Sequence, residues 1–177
     1  MLLCGIINKL QKSIAIATTD TVSYFFCQAT DPRINSATAV LRRLLYLLVS
    51  QQPSLTSCVR KKYDHAGKSI FEDANAWVAL TEIFADVLRN PSLITTYLII
   101  DALDECVTDL PKLLDFIVKQ SSVSSRVKWI VSSRNWPEIE EHLEQAAYNT
   151  RLSLELNAES ILMAVRVFID QRVSELA

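Results

Sequence analysis

Hydrophobic and polar positions alternate along the chain between two periods. Residues 2 to 12 are apolar enough for a short helix, and "TVSYFFCQ", residues 21 to 28, is β-branched and aromatic, the composition of a strand. After a turn at "TDPRINS", the apolar residues Ala37, Val40, Leu41, Leu44, Leu45 and Leu48 recur at three- and four-residue spacing. That spacing predicts a helix over 36 to 50 with one buried face, ended by Pro53. The polar segment "CVRKKYDHAGKSIFED" reads as a mostly exposed connection. A second amphipathic helix follows, with Trp77, Leu80, Phe84, Val87 and Leu88 on one stripe, and "NPS" closes it.

The next element is a continuous apolar run, "TYLIID", residues 96 to 101, of the kind buried on both faces of a parallel sheet. Pro111 suits the first turn of a helix carrying Leu114, Ile117 and Val118. "RVKWIVSS", residues 126 to 133, predicts another strand, and Pro137 opens a helix through about Ala147. "RLSLEL", residues 151 to 156, alternates as a strand does, and residues 158 to 176 form a terminal helix with Ile161, Val165, Phe168, Ile169 and Val173 inward. Strands alternating with helices give an α/β class with a mostly parallel sheet. No repeat or low-complexity tract interrupts the pattern.

Composition narrows the function. The 177 residues suit one domain, and a chain of this length buries roughly 70% of the surface its unfolded form exposes. Eighteen basic and 20 acidic side chains nearly cancel to a formal charge of -2. That balance offers no reason to expect nucleic acid or an anionic membrane as partner. No run reaches the ~20 apolar residues of a membrane span, and "MLLCGII" lacks the basic flank of a signal peptide. Cys4, Cys27, Cys58 and Cys106 are scattered with no metal-site spacing, which suits buried thiols in a reducing cytosol. The expected setting is soluble and cytoplasmic.

Candidate chemistry gathers where strands end, because a parallel sheet collects its functional groups at the carboxyl edge. Asp101 ends the run "YLIIDALDEC", with Asp104 and Glu105 three and four residues on. An acid at such a place holds magnesium through its water shell, and its neighbours are near enough to reach the same ion or to orient a water. The plainer alternative is that these acids cap the helix beginning near Thr108. Arg134 ends the strand in "VKWIVSSRNWP", at the same edge, where a guanidinium binds a terminal phosphate bidentately. Its plainer alternative is a surface pair with Glu138 or Glu140.

Together "YLIIDALDEC" and "WIVSSRNWPEIE" resemble the NACHT branch of the STAND class of P-loop NTPases. The likeness is strongest to the nucleotide-binding domains of large fungal signalling proteins similar to the nephrocystin amino-terminal region. It covers nearly the whole chain, with "VSYFFCQATDPRINSATAVLRRLLYLL" similar to the second strand and helix. The resemblance implies a P-loop NTPase-like three-layer α/β/α fold in strand order 5-1-4-3-2. It makes Asp101 the magnesium-associated Walker B acid, Asp104 or Glu105 the acid that polarises water, and Arg134 the sensor of the γ-phosphate. Ser132 and Ser133 become supporting polar groups. Mg²⁺ and ATP or GTP are the implied cofactors. Hydrolysis in this family switches an oligomerising signal platform.

The family's phosphate loop, G-x-x-x-x-G-K-[ST], does not occur in the 177 residues. Only Gly5 and Gly67 are present, against the average usage of about 7%. Gly67-Lys68-Ser69 has Tyr63 and Asp64 where a glycine-rich loop belongs, and no strand precedes it. By resemblance the loop precedes the helix that looks like "MLLCGIINKL", so the chain is expected to be a single truncated NACHT domain over 1–177 without its Walker A strand. Weak or inactive ATP binding follows. The competing readings are a non-catalytic module that assembles with itself, or that assembles with or inhibits full-length relatives, and an enzyme with an unrecognised phosphate site.

Overall fold

A computed structural model describes residues 2–17, 20–67 and 76–145. Three parallel strands, β1 (Asp20–Phe26), β2 (Thr95–Asp101) and β3 (Val127–Val131), lie side by side in the order β1-β2-β3. Helix α1 (Leu2–Ala17) covers one sheet face, with Leu3 and Ile7 against Val22 and Ile99. The other face carries α2 (Ala37–Gln51), α4 (Ala76–Arg89) and α5 (Leu110–Ser121). There Leu41, Leu44, Phe84 and Ile117 bury the opposite side of β1 and β2 through Phe25, Leu98 and Ile100. The result is the expected α/β/α layering.

Local chemistry explains most element ends. Ser36 caps α2, its hydroxyl accepting the Ala39 N–H at 3.2 Å, and Pro53 follows the helix with a 3-10 turn over Pro53–Leu55. Six α2 residues, Ala37, Val40, Leu41, Leu44, Leu45 and Leu48, are buried, the same six its periodicity singles out. Ser23 faces this layer from β1 and donates to the Leu44 carbonyl at 2.7 Å, so its buried hydroxyl is satisfied. Pro111 sits in the first turn of α5 and Pro137 in that of α6 (Pro137–Glu144).

Several expectations change. Helix α1 continues to Ala17, beyond residue 12. The segment expected as a connection is helical in its first half, as part of α3 (Thr56–Ala66). Buried Leu55 and Cys58 anchor that helix, and Lys62 reaches Glu82 of α4 at 2.5 Å. Its Arg and Lys residues are good helix formers whose charge conceals the narrow buried stripe. Gly67 ends it at a φ of 66°, a left-handed conformation that glycine takes without strain. Cys27, Cys58 and Cys106 are buried free thiols, while Cys4 is exposed on α1. The helix from Pro137 is described to Glu144; the rest of its expected course to about Ala147, the strand and helix expected over 151–156 and 158–176, and Lys68-Ser69 lie outside the described residues. Among the described residues, no helix is long and apolar enough to cross a membrane.

Candidate functional site

The β2–β3 pairing brings the two motifs together. Beyond the last strand pair, the Ser132 N–H donates to the Ile100 carbonyl at 2.9 Å and the Leu103 N–H to the Ser132 carbonyl at 2.8 Å. Asp101 and Ser132 therefore leave the sheet side by side, though 31 residues separate them. The Ser132 hydroxyl donates to Asp101 Oδ1 and accepts the Ala102 N–H at 3.0 Å. Ser132, a supporting group by resemblance, is the residue that orients Asp101.

Ala102 turns the chain sharply, with φ 55° and ψ 53°, a left-handed conformation costing a residue with a Cβ about 1–2 kcal/mol. Glycine would remove that strain but would gain freedom when unfolded, offsetting about 0.4–1 kcal/mol. Ala102→Gly is expected to raise stability by up to about 1 kcal/mol in urea denaturation. A loss of stability of that size would show that Ala102 is not held in this conformation.

After Ala102 a 3-10 turn over Leu103–Glu105 sends the acids apart. Leu103 drops into the core. Asp104 points to β3's end, where Oδ1 accepts the Arg134 backbone N–H at 3.0 Å and Oδ2 accepts Arg134 Nε at 2.5 Å. The Asp104 side chain is 3% exposed and that of Arg134 66%. Burial pushes the Asp104 carboxyl up, but its hydrogen bonds with Arg134 outweigh this and hold it below the ordinary carboxylate range. Glu105 turns the other way and accepts the Ala29 N–H at 3.1 Å, from the loop after β1. That loop is stitched on further by Asn35, whose amide donates to the Ala29 carbonyl and whose own carbonyl accepts the Thr108 N–H, both at 3.0 Å.

Asp101, Asp104 and Glu105 are thus neighbours with separate partners. The helix-capping alternative fails, because Asp109 is the residue before α5 and no side chain caps that helix. The ion pair Arg134 makes is with Asp104, in place of the surface pairing with α6. Among the described residues no three Asp, Glu, His or Cys side chains converge as a direct metal cage. Of the two roles expected for Asp104 and Glu105, reaching the same ion as Asp101 or orienting a water, this arrangement does not favour the first; a single carboxylate such as Asp101 fits magnesium, which keeps most of its waters. The Ser133 hydroxyl donates to the Arg134 carbonyl at 2.8 Å.

Ala102, Asp104, Glu105, Ser132, Ser133 and Arg134 line an open cleft of about 430 Å³, with Asp101 behind it through Ser132. Two features escaped the sequence: the Ala29 N–H, a backbone group with no side-chain signature, and Trp136, whose ring centroid lies 5.4 Å from Arg134 Cζ.

A parallel α/β/α layering, an acid ending one strand and an arginine just beyond the end of its neighbour are those of a piece of a NACHT-related, P-loop NTPase-like domain. The chain belongs to the family described as Nephrocystin 3, N-terminal, whose model matches residues 1–134. It is 64% identical over all 177 residues to the vegetative incompatibility protein HET-E-1 of Podospora anserina, and spans 13% of that protein's length. No solved structure matches the chain.

Proposed function

We propose that this chain is the Walker B and sensor portion of a NACHT nucleotide-binding domain, working in a nucleotide-dependent switch for oligomerisation and signal transduction. The observation that carries the reading is the pairing of β2 with β3, which sets Asp101 beside Ser132 at one sheet edge, where Ser132 and Arg134 line an open cleft. The resemblance of the two motifs to NACHT NTPases points to a class of ligand, a magnesium nucleoside triphosphate.

The roles follow from the partners. Asp101 holds magnesium through its water shell, oriented by Ser132. Arg134 meets the terminal phosphate, and Ser133 at the same rim is a supporting polar contact. Of the two acids offered for polarising water, Glu105 is favoured, because Asp104 is buried and both its oxygens are engaged by Arg134. Magnesium when bound neutralises charge on the phosphate oxygens. The chain's residues orient the ion, the phosphate and the water.

Three carboxylates and one guanidinium repel a polyanion unless backbone N–H groups and a lysine meet its phosphates. These 177 residues include no G-x-x-x-x-G-K-[ST] loop, so by themselves they bind nucleotide weakly. Calorimetric titration with ATP, with and without Mg²⁺, is expected to give a dissociation constant weaker than about 1 mM. Micromolar affinity abolished by Arg134→Ala would overturn the weak-binding part of the proposal and reveal a different phosphate site.

A further inference from the structure

Arg134 is fixed from two sides. One carboxylate, Asp104, takes both its backbone N–H and its side-chain Nε, pinning the residue at its root and at the neck of its guanidinium. The Arg134 guanidinium carbon lies over the Trp136 ring, 5.4 Å from its centroid, within cation–π range.

The chain holds that indole in place. Pro137 occupies the first turn of α6, and a residue before proline is kept out of the helical region. Trp136 accordingly sits at φ -93° and ψ 124°. Its N–H donates to the Arg134 carbonyl at 2.8 Å, and its carbonyl accepts the Ile139 and Glu140 N–H groups at 3.0 and 3.1 Å. The residue nevertheless keeps part of its surface in solvent, with Trp136 43% exposed.

The first of these fixtures uses Nε, and the second sets the guanidinium carbon over an aromatic ring. The two terminal nitrogens are left over: among the described residues, the hydrogen bond and ion pair from this side chain run through Nε. Arg134 also lines the cleft. An arginine with its neck tied and its guanidinium held over a ring loses less rotamer freedom when the remaining fork meets an oxyanion.

We propose that Asp104 and Trp136 are positioning residues that preset Arg134, so that its two terminal nitrogens form a fork for the terminal phosphate of a nucleoside triphosphate. This rests on the reading of the cleft as part of a phosphate-binding site. It gives Asp104 a task other than polarising water, and gives a function to a partly exposed tryptophan.

The test uses the ¹⁵N-labelled 177-residue chain and the arginine Nε–H region of its NMR spectrum, with the Arg134 signal identified by its loss in Arg134→Lys. In the unsubstituted chain this Nε–H is expected to exchange slowly with water and to shift on titration with inorganic triphosphate. Trp136→Leu is expected to speed the exchange and to weaken apparent triphosphate affinity by about two- to fivefold, while Trp136→Phe, which keeps an aromatic face, loses less. The exposed position of Trp136 favours folding of both variants, and the backbone amide spectrum checks it. Asp104→Asn, which keeps an acceptor but removes the charge, is expected to speed Nε–H exchange as well. Equal exchange and equal affinity in all forms would overturn the positioning role. An ordered, Trp136-sensitive Nε–H that ignores triphosphate would support the positioning and sink the phosphate reading.

Discussion

Phe84→Ala is expected to cost the fold about 3–5 kcal/mol. Phe84 is fully buried on α4 and meets two other elements. Its ring sits edge-on to Phe116 of α5 at 5.6 Å and stacks on Trp129 of β3 at 6.3 Å. Truncation removes the ring's transfer energy and opens a cavity at a junction that holds β3, and with it Arg134, against the helical layer. Domains of this size are stable by only about 5–15 kcal/mol, so the variant loses a large share of its margin. Urea denaturation measures the loss, with exposed Tyr46→Ala as a control expected to stay within about 0.5 kcal/mol. A cost below about 1 kcal/mol for Phe84→Ala would mean that the α4–α5–β3 junction is not formed as described.

The second large effect concerns ligand. Fusing a β-strand and a G-x-x-x-x-G-K-T loop ahead of α1 is expected to raise ATP affinity at least about a hundredfold, or about 2.7 kcal/mol. The loop supplies what the cleft lacks: converging N–H groups, the positive end of a helix and a lysine opposite Asp101, Asp104 and Glu105. The site for such a strand is the outer edge of β3, which has no partner among the described residues. Calorimetry on the fused and unfused chains measures the difference. An unchanged affinity in a folded fusion would show that this sheet edge is not where a triphosphate binds.

Much of the fold was legible because its elements carry one dominant signal each. The run "YLIID" has a strand's apolar continuity, and the α2 leucines have a helix's period. Helix α3 was hidden because Arg60, Lys61, Lys62 and Asp64 outnumber its few buried contacts, and its docking depends on Glu82 of another helix. The site was legible as a set of residues and not as a geometry. Spacing set Asp104 and Glu105 beside Asp101, but their directions follow from the left-handed Ala102 and from partners remote in sequence: Ser132, Arg134 and Ala29. Trp136 carried one local signal, the proline after it, which fixes its backbone without revealing the guanidinium beneath its ring.

The central claim is that Asp101 and Arg134 are two parts of one triphosphate site. The most direct measurement is the ratio of ATP to ADP affinity in the loop-fused chain, at fixed free Mg²⁺, with and without Arg134→Ala. The account predicts that the fused chain prefers ATP and that Arg134→Ala removes the preference while leaving ADP affinity nearly unchanged. An ATP preference that survives Arg134→Ala would contradict it.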